Sequence, residues 1–216
     1  CKSDIIPMRE YAKMHKLDTK QRTVFQVICC SFMLDCIENI SLHNGLGLND
    51  LSGGERRKKT RKLLSTALNL KSKEDIAKLV KELKKKGGKS HLLMFLSGKG
   101  GSGKSYVISV AQRYCHTFCQ YASIPYDNTT IYLTAMTGCA AALLNGLTLH
   151  SATSFESTTK TRISDDERYI WMHVIILVID EISFMSQSQL MKLDRMLRRL
   201  ICEPNRPYGG INIVFI

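Results

Sequence analysis

Leu92-Leu93-Met94-Phe95-Leu96-Ser97-Gly98-Lys99-Gly100-Gly101-Ser102-Gly103-Lys104-Ser105 decides the reading of this chain. The run Leu92 to Leu96 reads as a short strand, and a helical pattern runs from about Lys104 to Tyr121. Between them, Gly98 to Ser105 fits the eight-position phosphate-loop pattern in full. Gly98, Gly100, Gly101 and Gly103 let the backbone curl so that N–H groups, that of Ser102 included, point inward at a phosphate. The helix N-terminus adds its partial positive charge. Lys104 is placed to reach the β and γ phosphates, and the Ser105 hydroxyl to ligate Mg2+. A chance glycine-rich turn would not also sit between a strand and a helix.

Downstream, Thr130 to Thr134 is a second strand candidate. Val174 to Ile179 is a third, apolar throughout, as a strand covered on both faces should be. Residues 187 to 201 form a helix with Leu190, Leu193, Met196, Leu197 and Leu200 inward, and Ile211 to Ile216 is a fourth strand. Strands alternating with helices predict a parallel α/β sheet. Asp180-Glu181 follows the third strand, 76 residues after Lys104. Acids at the carboxyl end of such a strand lie where open α/β sheets bind ligands. Asp180 is expected to hold magnesium through its water shell and Glu181 to orient the attacking water. An acid in that second position favours nucleotide hydrolysis over phosphoryl transfer to another acceptor.

Upstream, Leu17 to Leu34 carries apolar residues at helical spacing, with Asp18 or Thr19 as N-cap. Residues 41 to 54 read as a loop, and two helical patterns follow, at about 55–69 and 73–86. The chain has 216 residues, 31 Lys plus Arg and 19 Asp plus Glu, a net charge of +12. That balance invites a nucleic-acid or anionic-membrane partner. It is concentrated: residues 52–90 hold fourteen basic and four acidic residues, net +10, which leaves +2 for all the rest. The Arg56–Lys59 and Lys84–Lys86 clusters read either as a grip on DNA phosphates or as a solvated helix face or nuclear-import patch.

The longest aliphatic run, Val174 to Ile179, is six residues, far short of the roughly 20 a membrane helix needs. The eight scattered cysteines read as reduced core residues. Cys115-His116-Thr117-Phe118-Cys119 has a metal-like spacing but no second Cys/His pair to complete a zinc set. The first residue is Cys1, and the last strand stops mid-motif, so a piece of a longer protein is expected.

Five segments together resemble the Pif (petite integration frequency) family of superfamily-one DNA helicases, including those of Helitron transposons. Leu17-Asp18-Thr19-Lys20-Gln21 resembles the family's leading glutamine motif, with Gln21 in the place that recognises adenine. Gly98 to Ser105 is the phosphate loop. Thr134-Ala135-Met136-Thr137-Gly138-Cys139-Ala140-Ala141, with Thr148-Leu149-His150-Ser151, resembles the motif lining the single-strand channel. Asp180 to Met185 is similar to the metal and water motif, and Pro207 to Ile213 resembles the lead-in to the next one. Met136 departs from the pattern, standing where the family usually has proline.

The resemblance implies a RecA-like P-loop domain, parallel sheet flanked by helices, carrying a basic helical insertion. The expected division is 1–40 as the segment with the glutamine motif, 41–90 as the insertion, and 91–216 as a RecA-like domain ending before the γ-phosphate sensor. The implied activity is ATP-dependent 5′-to-3′ DNA unwinding in repair, recombination or telomere maintenance, in the nucleus or alternatively the mitochondrion. ATP and Mg2+ are the implied cofactors, single-stranded DNA the partner. A second RecA-like domain is expected in the full-length chain. Thr137, Gly138, His150 and Ser151 are implied to lie near the DNA backbone; taken alone, His150 reads as a hydrogen-bonded, half-buried histidine. Two other functions are weighed: another P-loop enzyme such as a kinase, and a transposon-derived remnant that binds nucleotide or DNA without turnover.

Overall fold

The computed structural model describes residues 5–38, 91–155 and 163–216. The loop expected at 41–54 and the basic helices expected at 55–69 and 73–86 lie outside them. The chain divides into two compact units, one drawing on Cys1–Ser90 and Gly100–Tyr126, the other on His91–Lys99 and Asp127–Ile216.

The described elements of the first unit are helices. Helix α1 is Met8–Met14 and α2 is Thr19–Glu38. Asp18 caps α2: its carboxylate accepts from the Gln21 N–H at 2.9 Å, while the Asp18 N–H donates to Gln21 Oε1 at 3.1 Å. This reciprocal pair satisfies two N–H groups at the end of the helix. Helix α3, Lys104–Ala122, buries Val107, Val110, Ala111, Tyr114, Cys115, Phe118 and Cys119 along one stripe. Cys29 and Cys115 meet sulfur to sulfur at 3.9 Å, and Tyr114 packs edge-on against Phe25 and Tyr11. The Tyr114 hydroxyl, held well above its usual pKa by burial, donates to the Ile6 carbonyl at 2.8 Å. The cysteines of the metal-like run are therefore core side chains, and Cys115 and Cys119 are fully buried.

The second unit is a five-stranded, wholly parallel sheet. Its strands are β1 (Leu93–Phe95), β2 (Ile131–Ala135), β3 (Leu147–Thr148), β4 (Ile176–Asp180) and β5 (Asn212–Phe215), in the spatial order β1-β5-β4-β2-β3. Ile176 to Ile179 are buried to 1 % exposure or less, so the apolar run is a central strand, as its composition predicts. Helices α4 (Gly138–Leu143), α5 (Leu149–Thr153), α6 (Asp165–His173) and α7 (Gln187–Ile201) complete the unit. Trp171 of α6 and Leu193, Met196, Leu197 and Leu200 of α7 pack with Leu177, Ile179 and Ile213 in one core. Leu190, expected inward, is only half-buried. Capping boxes start both helices, Ser164 with Glu167 and Ser186 with Gln189. Buried Asn212 receives the Leu92 N–H at 2.9 Å and donates to the Ile175 carbonyl at 2.9 Å, tying β1, β5 and β4 together.

Register places the functional segments. Phe95 pairs with Phe215, Phe215 with Ile179, Ile179 with Thr134 and Thr134 with Leu147. In a parallel sheet this row means that all five strands leave at one edge. Among the described residues, no helix is long and apolar enough to cross a membrane.

Candidate nucleotide and single-strand site

The phosphate loop follows β1 and ends in α3. Gly101 and Gly103 have φ of +75° and +79°, the left-handed region where a side chain is strained. Gly103 is also the N-cap of α3, which has neither a side-chain cap nor an acid in its first turn. The partial positive charge at the start of this 19-residue helix favours an anion there. Gly98, Gly100, Gly101, Ser102 and Ser105 are exposed, while Lys104 is half-buried.

Gln21 lies against this loop. Its Nε2 donates to the Ser102 carbonyl at 3.2 Å, and a Cβ on Gly103 would come within 2.6 Å of that nitrogen. With Oε1 engaged at Asp18, these bonds use one amide hydrogen and one carbonyl lone pair. One donor and one acceptor remain, the complement of adenine N7 and N6–H2.

The acidic pair is built on the sheet. Ala135 pairs with Asp180, and the Met136 N–H donates to the Asp180 carbonyl at 3.1 Å, so the chain beyond β2 runs beside the end of β4. The Asp180 carboxylate accepts the Glu181 N–H at 2.8 Å. Glu181 then turns left-handed, φ +57° and ψ +40°, a conformation that costs a residue with a Cβ about 1–2 kcal/mol. Such strain concentrates where a side chain has to be aimed. Its N-terminal neighbour ends β4, and its C-terminal neighbour Ile182 donates to the Ile216 carbonyl at 2.9 Å. The Glu181 carboxylate accepts a short hydrogen bond, 2.5 Å, from the Thr137 hydroxyl.

Thr137 is also the N-cap of α4, its oxygen accepting from the Ala140 N–H at 3.3 Å. Gly138 opens that helix and is exposed. Ala135 pairs with Thr148, so the segment after β3 leaves at the same edge. Thr148 caps α5, which carries exposed Ser151 and half-buried His150; the His150 ring packs on Phe155 at 4.8 Å between centroids. The sheet thus brings Thr137, Gly138, His150 and Ser151 to the edge that carries Asp180 and Glu181. The Thr137–Glu181 bond has no signal within either segment, since its partners are 44 residues apart. Only the register of β2 on β4 brings them together.

A glycine loop between a strand and a helix, and an Asp-Glu pair at the carboxyl end of a central parallel strand, are each the marks of the P-loop α/β class. The family model for PIF1-like helicases matches residues 67–216, so the chain belongs to the PIF1-like helicase family. The fold is accordingly RecA-like. Over 129 residues the chain is 32 % identical to the ATP-dependent DNA helicase RRM3 of Saccharomyces cerevisiae, covering 56 % of this chain and 17 % of that protein. It is 30 % identical over 129 residues to the ATP-dependent DNA helicase Pif1 of Psychrobacter sp., covering 56 % and 18 %. The crystal structure of a Candida albicans Pif1 helicase matches with 26 % identity and a TM-score of 0.44, covering 67 % of this chain and 31 % of that one. The chain spans less than a fifth of the length of these two curated relatives.

Proposed function

We propose that this chain supplies the ATP-hydrolysing part of a 5′-to-3′ DNA helicase that moves along single-stranded DNA. The observation that carries this reading is the strand row Phe95–Phe215–Ile179–Thr134–Leu147. It supports a common edge for the start of the phosphate loop, the acidic pair and the Thr137–Ser151 segments. The relatives' names, ATP-dependent DNA helicases, support the same reaction class.

In this reading the loop N–H groups and Lys104 hold the triphosphate, and Gln21 takes the adenine edge. The Ser105 hydroxyl and the Asp180 carboxylate suit magnesium, a hard cation that takes oxygen ligands. When bound, the metal neutralises charge on the phosphates. Glu181 accepts a hydrogen bond from the attacking water and orients it in line. Thr137, Gly138, His150 and Ser151 contact the DNA backbone, which positions a strand without reading its sequence. A second RecA-like domain in the full-length protein completes the motor. Repair, recombination or telomere maintenance in the nucleus, or mitochondrial DNA upkeep, is the proposed setting.

A strand-displacement assay on the full-length protein tests this. ATP-dependent unwinding of a duplex with a 5′ single-stranded tail, and little of one with a 3′ tail, is expected. ATP hydrolysis indifferent to DNA and no unwinding of either substrate would replace this reading with a P-loop kinase or a remnant without turnover.

A further inference from the structure

We propose that Thr137 is a positioning residue for Glu181, passing DNA occupancy to the hydrolysis glutamate through a single hydroxyl proton. The proposal rests on the functional reading above, in which Thr137 meets the DNA backbone and Glu181 orients water. A threonine hydroxyl has one hydrogen to donate and two lone pairs to accept with. Here one lone pair takes the Ala140 N–H, and the hydrogen goes to Glu181 Oε2 at 2.5 Å. A phosphate oxygen is an acceptor only, so it can bind this hydroxyl only by taking the hydrogen that Glu181 holds. The two acceptors exclude each other. Without DNA, Glu181 has one carboxylate oxygen tied to the cap of α4. With a strand bound, the hydroxyl turns to the phosphate and that oxygen is released to the attacking water. No covalent bond changes; the hydroxyl keeps its proton and only the acceptor is exchanged. The left-handed backbone at Glu181 supports a side chain held in place rather than one settled in a relaxed turn.

The test compares ATP hydrolysis by the full-length protein, with and without an oligothymidylate strand, for wild type, Thr137→Val and Thr137→Ser. The valine keeps the shape and loses the hydroxyl. Its DNA-free rate is expected to rise and its fold-stimulation by DNA to fall about tenfold, the scale of one hydrogen bond to a charged acceptor. The serine variant is expected to restore both. Should the valine variant fail to fold, Thr137→Gly removes the same hydroxyl at a position where helices tolerate glycine. A role confined to capping α4 would lower both rates together and never raise the DNA-free one. Wild-type stimulation in the hydroxyl-free variants, or a fall in both rates, overturns the proposal. A wild-type protein whose hydrolysis ignores DNA overturns the functional reading instead.

Discussion

The phosphate loop and the acidic pair solve opposite problems. In the proposed reading the loop works through backbone: its left-handed glycines turn N–H groups toward a phosphate, and Lys104 and Ser105 add side chains. On the same reading the acidic pair works through side chains, and its backbone serves to aim them. Asp180 is the last residue of a buried strand, and Glu181 is strained and held by a threonine from another element. The difference teaches where each is vulnerable. On that reading the loop is sensitive to its shape and to Lys104, and the pair to the loss or misdirection of a single carboxylate.

Substitutions sharpen that contrast. Lys104→Ala is expected to have the largest effect, lowering ATP hydrolysis by about 10²–10³-fold, the scale for losing one charge-stabilising donor. Steady-state turnover checks it, and an unchanged rate would break the role given to the lysine. Ile179→Ala attacks the strand beneath the acidic pair. Removing this fully buried side chain should cost about 3 kcal/mol of stability, read by urea denaturation. Gly103→Ala attacks loop shape, placing a Cβ at φ +79° against Gln21. About 1–2 kcal/mol of strain should weaken nucleotide binding roughly tenfold in a fluorescent-nucleotide titration.

The smallest expected effect concerns the turn that leads into β2. Burial alone would raise the Asp127 pKa, but hydrogen bonds from the side chains and N–H groups of Thr129 and Thr130, 2.7 to 3.1 Å, outweigh it and lower it. A depressed carboxyl stabilises the fold above its unfolded pKa of about 3.9, and the gain is lost as pH falls through the lower folded value. Asp127→Asn should therefore shrink the stability difference between pH 6 and pH 3. The change stays under about 1 kcal/mol, because the residue is exposed.

Legibility in the sequence followed the same contrast. The loop was readable from spacing alone, and α7 matches its expected bounds because Leu193, Met196, Leu197 and Leu200 repeat at helical spacing. β4 stood out because a strand buried on both faces has no polar alternation. Helix α1 went unread because seven residues hold too little periodicity. Helix α6 went unread because its charged first turn masks it, though Ser164 and Glu167 carried a capping-box signal. β3, two residues long, has no pattern to read. Gln21 is legible as the adenine residue only through the family resemblance; its bonds to Asp18 and Ser102 depend on the fold, as does the Thr137–Glu181 bond. Contacts between distant segments depend on sheet register and helix pairing, which no local window contains.

The most direct measurement is made on Glu181→Gln in the full-length protein: nucleotide affinity and ATP hydrolysis on one preparation. If the loop binds and the acidic pair drives hydrolysis, ATP should bind within about twofold of wild type while turnover falls at least about 10²-fold, the scale of a lost general base. Affinity and turnover lost together, or turnover left unchanged, would contradict that division of labour.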